Sequence, residues 1–180
     1  KIKKNKEKRK IALEFLDKGR EYLKNGKYLE SIDSFDKALN NSTEIGDLDT
    51  IIRSTCNKGI ALYNIGKYSE AISIFDNRIK MEPNDLNAWT HKGIALSYLG
   101  KHSEAIQCFD RAIAIDPNHP DAWNNKGCSL KSLSKYSEAL ACIDKAISID
   151  PYCEDARNLK QKLLEQIEKA HDKQNNLGKL

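Results

Sequence analysis

NKGIALYNIGKYSEAISIFDNRIKMEPND (57–85), HKGIALSYLGKHSEAIQCFDRAIAIDPNH (91–119) and NKGCSLKSLSKYSEALACIDKAISIDPYC (125–153) align without a gap at a spacing of 34 residues. A fixed period of this length decides the architecture before any single residue does, because each copy is one supersecondary unit whose apolar face is buried only by its neighbours. A fourth copy lies upstream, DKGREYLKNGKYLESIDSFDKALNN (17–41), but its Gly19 precedes Gly59 by 40 residues, so six residues are inserted between the first two copies.

Within each copy the residue sizes recur. With Trp89 and Trp123 set at position 4, Gly19, Gly59, Gly93 and Gly127 fall at position 8, and Tyr22, Leu62, Leu96 and Leu130 at position 11. Ser31, Ala71, Ala105 and Ala139 follow at position 20, Phe35, Phe75, Phe109 and Ile143 at position 24, and Pro83, Pro117 and Pro151 at position 32. The large residues fall on one stripe of each helix, and the small ones let two backbones approach, which specifies an antiparallel helical hairpin. Gly-Lys-Tyr or Gly-Lys-His (26–28, 66–68, 100–102) supplies the turn, and the Asp-Pro or Glu-Pro step stops the second helix. The pattern predicts helix pairs over 12–25 with 28–41, 48–65 with 68–81, 86–99 with 102–115 and 120–133 with 136–149. A last helix over 154–172 has no partner, and its apolar residues, Ala156, Leu159, Leu163, Leu164 and Ile167, suit a cap with one wet face.

At these signature positions the chain resembles the tetratricopeptide repeat family over roughly residues 12–153. The resemblance implies an all-α fold, a right-handed α-α superhelix of antiparallel helical hairpins. It implies four repeats (12–45, 52–85, 86–119 and 120–153), a capping helix (154–172) and a tail (173–180) behind a basic leader (1–11). It also implies a non-catalytic scaffold for protein–protein interaction, with a partner segment held in a concave groove. In this family the first helices line that groove chiefly through positions 2, 5, 9 and 12. Here the first copy offers Leu13, Leu16, Arg20 and Leu23 there, and the second Arg53, Cys56, Ile60 and Tyr63. The third offers Asn87, Thr90, Ile94 and Ser97, and the fourth Asp121, Asn124, Cys128 and Lys131. Asn87 and Asn124 suit hydrogen bonds to the backbone of an extended ligand, while Leu16, Ile60, Tyr63 and Ile94 suit apolar anchors. Asn57, next to Cys56, is counted with these groove residues, and the bland alternative for each is solvated surface.

One subclass of the family grips the C-terminal carboxylate of heat-shock chaperones with five residues. In the frame of the first copy Leu16 and Arg20 stand where Lys and Asn are wanted, Asn57 matches, and Asn87 and His91 replace two basic residues. In the next frame Cys56, Ile60, His91, Asp121 and Asn125 match nothing. No such clamp is expected.

Three departures from the repeat stand out. Thr55 replaces the bulky residue at position 4, and Arg78 the alanine usual at position 27, where its guanidinium must reach water or an acid. Asn40–Asp49 lacks the proline stop, and Asp47 suits the cap of a helix begun about one turn early; a longer loop is the alternative.

Composition excludes several other functions. Hydrophobic residues make 39% and charged residues 31% of the 180, with no apolar run near the roughly 20 residues that span a membrane and no secretory signal at the start. A cytoplasmic protein is expected, and the first residue, Lys1, suggests a trimmed start or a disordered leader. Five cysteines without a Cys-x-x-Cys pair indicate free thiols, neither a disulfide framework nor a zinc site. His91, His102, His119 and His171 are scattered without ligand or nucleophile spacing, and no phosphate loop occurs, so no metal, cofactor or catalysis is expected. Of the net charge of +4, residues 1–10 hold +6, which leaves −2 for the remaining 170. A solvated tail or a frayed helix start is the ordinary reading of such a run. Anion or nucleic-acid binding through it is the alternative function, and a regulatory or assembly region of a larger protein is another. The capping helix, with its polar face, favours a monomer.

Overall fold

Glycine at position 8 sets the closeness of every hairpin. A Cβ built on Gly93 would lie 2.6 Å from the Phe109 ring, and on Gly19 2.5 Å from that of Phe35. On Gly127 it would meet Ile143 at 2.6 Å and on Gly59 the ring of Phe75 at 2.9 Å. The residue at position 24 therefore fills the space that a side chain at position 8 would need, and Phe35, Phe75, Phe109 and Ile143 are all buried.

The computed structural model describes residues 2–177, with side chains as far as residue 170. Nine helices and no strand occur among the described residues: α1 (Ile2–Lys24), α2 (Tyr28–Ile45), α3 (Leu48–Asn64), α4 (Tyr68–Met81), α5 (Leu86–Tyr98), α6 (His102–Ile115), α7 (Pro120–Ser132), α8 (Tyr136–Ile149) and α9 (Glu154–Leu177). They form two compact units, residues 1–91 and 92–180, and α5 contributes to both. In the first, Leu16, Phe35 and Ala38 make a core on which Leu13, Phe15 and Leu23 pack. In the second, Leu130, Ala139, Cys142, Ile143 and Ala146 of α7 and α8 continue into Ala156 and Leu163 of α9.

The turn inside each hairpin is a Schellman motif. After α3, Lys67 N–H donates to Leu62 O at 2.9 Å and Gly66 N–H to Tyr63 O at 3.0 Å, with Gly66 left-handed at φ +82°. The same pair of bonds closes the hairpin after α7, but there Ser134 holds the left-handed position at φ 59°. A side chain in this region costs about 1–2 kcal/mol, so Ser134→Gly is expected to gain about 0.5–1 kcal/mol after the entropy of a freer unfolded chain is deducted. Urea denaturation of the two proteins measures it; an unchanged midpoint would mean that the serine carries no strain.

The six inserted residues enter both helices around the first junction. α2 has 18 residues where α4 has 14, and α3 has 17 where α5 has 13. The connection shrinks to Gly46 and Asp47. Gly46, at φ 69°, ends α2 by the Schellman bonds Gly46 N–H to Thr43 O and Asp47 N–H to Ser42 O, and no proline is needed. The early start of α3 at Leu48 agrees with the lengthened helix rather than the loop. The extension of α2 was not foreseen. Nor does Asp47 cap α3 with its side chain: its carboxylate accepts from Thr50 Oγ1 at 2.9 Å and forms an ion pair with Arg9, whose Nε lies 3.1 Å away.

That second contact explains a larger departure. The segment expected as a basic leader over 1–11 is helical from Ile2, continuous with α1. Lys8 pairs with Glu44 and Arg9 with Asp47, so residues at the lengthened junction hold the added turns of α1. At the other end α9 runs to Leu177, beyond the expected 172; the tail expected over 173–180 lies outside the described side chains, as does His171.

Two polar arrangements recur with the repeat. Trp89 Nε1–H donates to Pro83 O at 2.8 Å and Trp123 Nε1–H to Pro117 O at 2.9 Å, so position 4 ties each first helix to the proline turn before it. Lysine at position 7 reaches aspartate at position 25 of the preceding copy: Lys58 to Asp36 and Lys126 to Asp110, both 2.6 Å. Lys160 of α9 meets Asp144 in the same way at 2.7 Å. Partly exposed, each pair contributes a fraction of 1 kcal/mol and fixes register more than stability.

Candidate functional site

First helices of neighbouring hairpins leave a hollow between them, because small residues bring each helix close to its own partner and not to the next first helix. In the first unit Cys56, Asn57, Ile60, Phe75, Asn87, Ala88 and His91 line a cavity of about 290 Å³. His91 Nδ1–H donates to Asn87 O at 2.7 Å, and its ring stacks on Phe75 with centroids 5.5 Å apart. Tyr63 lies tilted against the same imidazole at 6.5 Å. Desolvation pushes the Cys56 thiol up, the Asp85 carboxylate adds to this, and Arg78 opposes it, so the sulfur is a neutral thiol at physiological pH.

In the second unit Ile94, Ser97, Tyr98, His102, Asn125, Cys128, Ser129 and Ser132 line a cavity of about 260 Å³. Its lining is hydroxyl, amide and aliphatic with the His102 imidazole and the Cys128 thiol, and holds no carboxylate or ammonium. Ser97 and Ser129 share a hydrogen bond of 2.8 Å that fixes one wall.

The structure gathers some of the residues expected in the groove and removes others. Asn57, Ile60 and Asn87 meet in the first cavity, and Ile94 lines the second with Ser97 and Cys128. Leu16 is fully buried against Phe35 and Ala38, and a ligand cannot touch it. Thr90 is 4% exposed and spends its hydroxyl on Leu86 O, so it too belongs to the interior. Both stand at position 5, which faces the hairpin core in these two copies, whereas Cys56 at the same position lines the first cavity. Asn124 at the same position is half-buried, and its Oδ1 has no hydrogen bond among the described residues. Arg20 and Arg53 are exposed and paired along their own helices with Asp17 and Asp49. Asp121 is exposed and Lys131 half-buried, and neither lines a cavity described here.

Tyr98, His102, Asn125, Ser129 and Ser132 were not anticipated. Tyr98 and Ser132 occupy position 13, one step past the stripe used, and that adjacency was the available signal. His102 lines the second cavity, and its Nδ1 is buried without a hydrogen bond among the described residues.

Arg78 behaves as its position requires. Its Nε–H donates to Asp85 Oδ2 at 2.6 Å and its Nη2 to Glu82, while Asp85 Oδ1 accepts from Ala88 N–H at 2.9 Å. One aspartate thus caps α5 and neutralises the guanidinium.

The tetratricopeptide repeat family model matches residues 86–119 and 120–153. No curated protein sequence matches the chain. Among solved structures, YrrB, described as a tetratricopeptide protein with an unusual peptide-binding site, is 28% identical over 83% of this chain and 74% of its own, with a TM-score of 0.66. The first such domain of Spaghetti (RPAP3), bound to an HSP90 peptide, is 22% identical over 64% of this chain and 92% of its own, at a TM-score of 0.62. The Sgt2 domain from Aspergillus fumigatus is 20% identical over 67% and 82%, at 0.65. At these last two identities the likeness is one of fold. Two of the four copies, residues 86–119 and 120–153, match the tetratricopeptide repeat, and the described residues are all-α and built of antiparallel helical hairpins.

Proposed function

We propose that this chain binds an extended segment of a partner protein along its first helices, and that it does so without catalysis. Tetratricopeptide repeats are scaffolds for protein–protein interaction. The observation that carries the reading here is the pair of cavities between first helices, the first lined by amide, aliphatic, phenyl, imidazole and thiol groups and the second by hydroxyl, amide, aliphatic, imidazole and thiol groups. Such a lining supplies donors and acceptors to a peptide backbone and room for uncharged side chains. Four repeats over 12–45, 52–85, 86–119 and 120–153, closed by the helix from 154, are the unit of this function, acting as a monomer. Five free thiols and, among the described residues, no helix long and apolar enough to cross a membrane agree with a cytoplasmic setting.

Replacing Asn87 and Ile94 together by alanine and serine is expected to abolish capture of a protein partner in pull-down without moving the melting temperature. Undiminished capture would place the partner on another surface. Leu16, buried where a chaperone-carboxylate clamp needs a lysine, makes that ligand unsuitable. A chaperone C-terminal peptide should bind no more tightly in calorimetry than its C-terminal amide.

A further inference from the structure

The lengthened first junction leaves aliphatic side chains at the surface. Ile2 is 79% exposed and Leu48 65%, and with Ile45 they line an open groove of about 490 Å³ between the start of α1 and the α2–α3 connection. Large aliphatic side chains gathered in one groove are the kind of surface that a partner covers. Lys6, Arg9 and Asp47 line the same groove. Arg9 is committed to Asp47 at 3.1 Å, and Lys8 nearby is committed to Glu44. Lys3, Lys4 and Lys6 form no ion pair among the described residues, and of the three Lys6 lines the groove.

We propose that this groove docks an acidic segment of a partner protein that carries aliphatic side chains, on a surface separate from the cavities between first helices. Lys6, with the positive start of α1 around it, selects acidic groups, and Ile2, Ile45 and Leu48 select aliphatic ones between them. A nucleic acid fits less well. No aromatic ring lines the groove for a base to stack on, and the aliphatic Ile2, Ile45 and Leu48 offer nothing to a phosphate backbone.

Fluorescence anisotropy with the whole chain tests this, using a fluorescein-labelled peptide Glu-Glu-Leu-Glu-Glu-Ile-Leu-Glu-Glu with an amidated C-terminus. The amide removes the terminal carboxylate, so a chaperone-type clamp has nothing to grip. Binding is expected, and it should weaken as salt rises. Leu48→Ser and Lys6→Glu should each weaken it about tenfold or more, whereas Ile94→Ser, in the second cavity, should leave it unchanged. An all-glutamate peptide and a single-stranded oligothymidylate should bind at least about tenfold less tightly than the test peptide. Absence of binding, full affinity in Leu48→Ser or in Lys6→Glu, or an oligothymidylate bound as tightly as the peptide overturns the proposal. Both altered side chains are exposed, and melting curves of the variants confirm that folding is retained.

Discussion

Phe109→Ala is expected to destabilise the protein by about 3–5 kcal/mol, because the ring is fully buried and the helices beside it cannot collapse into the space. The informative measurement pairs it with Gly93→Ala. In the parent protein the added methyl would sit 2.6 Å from the Phe109 ring, a clash that forces ring or backbone to shift. Overpacking of this kind costs about 1–3 kcal/mol and outweighs the gain of about 1 kcal/mol that alanine brings over glycine inside a helix. Once Phe109 is alanine the clash is gone and the helical gain remains, so Gly93→Ala should then stabilise. Urea midpoints of the four proteins decide it. The same sign in both backgrounds would show that position 8 is small for some reason other than the residue at position 24.

The second large effect concerns the guanidinium that replaces an alanine. Asp85→Ala removes the Nε partner of an Arg78 side chain that is only 15% exposed, and removes the cap of α5 as well. With Glu82 still in place, the expected loss is about 2–4 kcal/mol. Arg78→Ala combined with Asp85→Ser should recover most of it. The alanine restores what the other copies carry at position 27, where Ala38, Ala112 and Ala146 are fully buried, and the serine keeps a cap without a charge. Thermal melts should place the double variant within about 1 kcal/mol of the parent. A double variant no more stable than Asp85→Ala would mean that Arg78 supports the fold through contacts other than its ion pairs.

Such pairs mark where the sequence was legible and where it was not. The recurring glycine, aromatic and proline positions identified the helices because each is required by a contact inside one hairpin or between adjacent ones. Residues 2–11 carry no apolar stripe, and the ion pairs they make outside their own helix are with distant residues, Glu44 and Asp47 on the lengthened junction. No local pattern announces that. The candidate site was read in part for a related reason. Positions 2, 5, 9 and 12 share a helix face, but the face is wider than the hollow. Leu16 and Thr90 turn toward the interior while Tyr98 and Ser132, one step beyond, line the opening. Spacing along one helix gives the direction of a side chain; the neighbouring helix decides whether that direction ends in core or in solvent.

In α9, Ala156, Lys160 and Leu163 stand in register with positions 3, 7 and 10, and Lys160 makes the same bond to its predecessor as Lys58 and Lys126 do. The terminal helix thus presents to α8 the mating face that a complete repeat would present. Extra 34-residue modules spliced in after Cys153 would meet familiar joints on both sides. The scaffold is accordingly extensible: the number of cavities it offers to a ligand can be raised by duplication, with no new core to be devised.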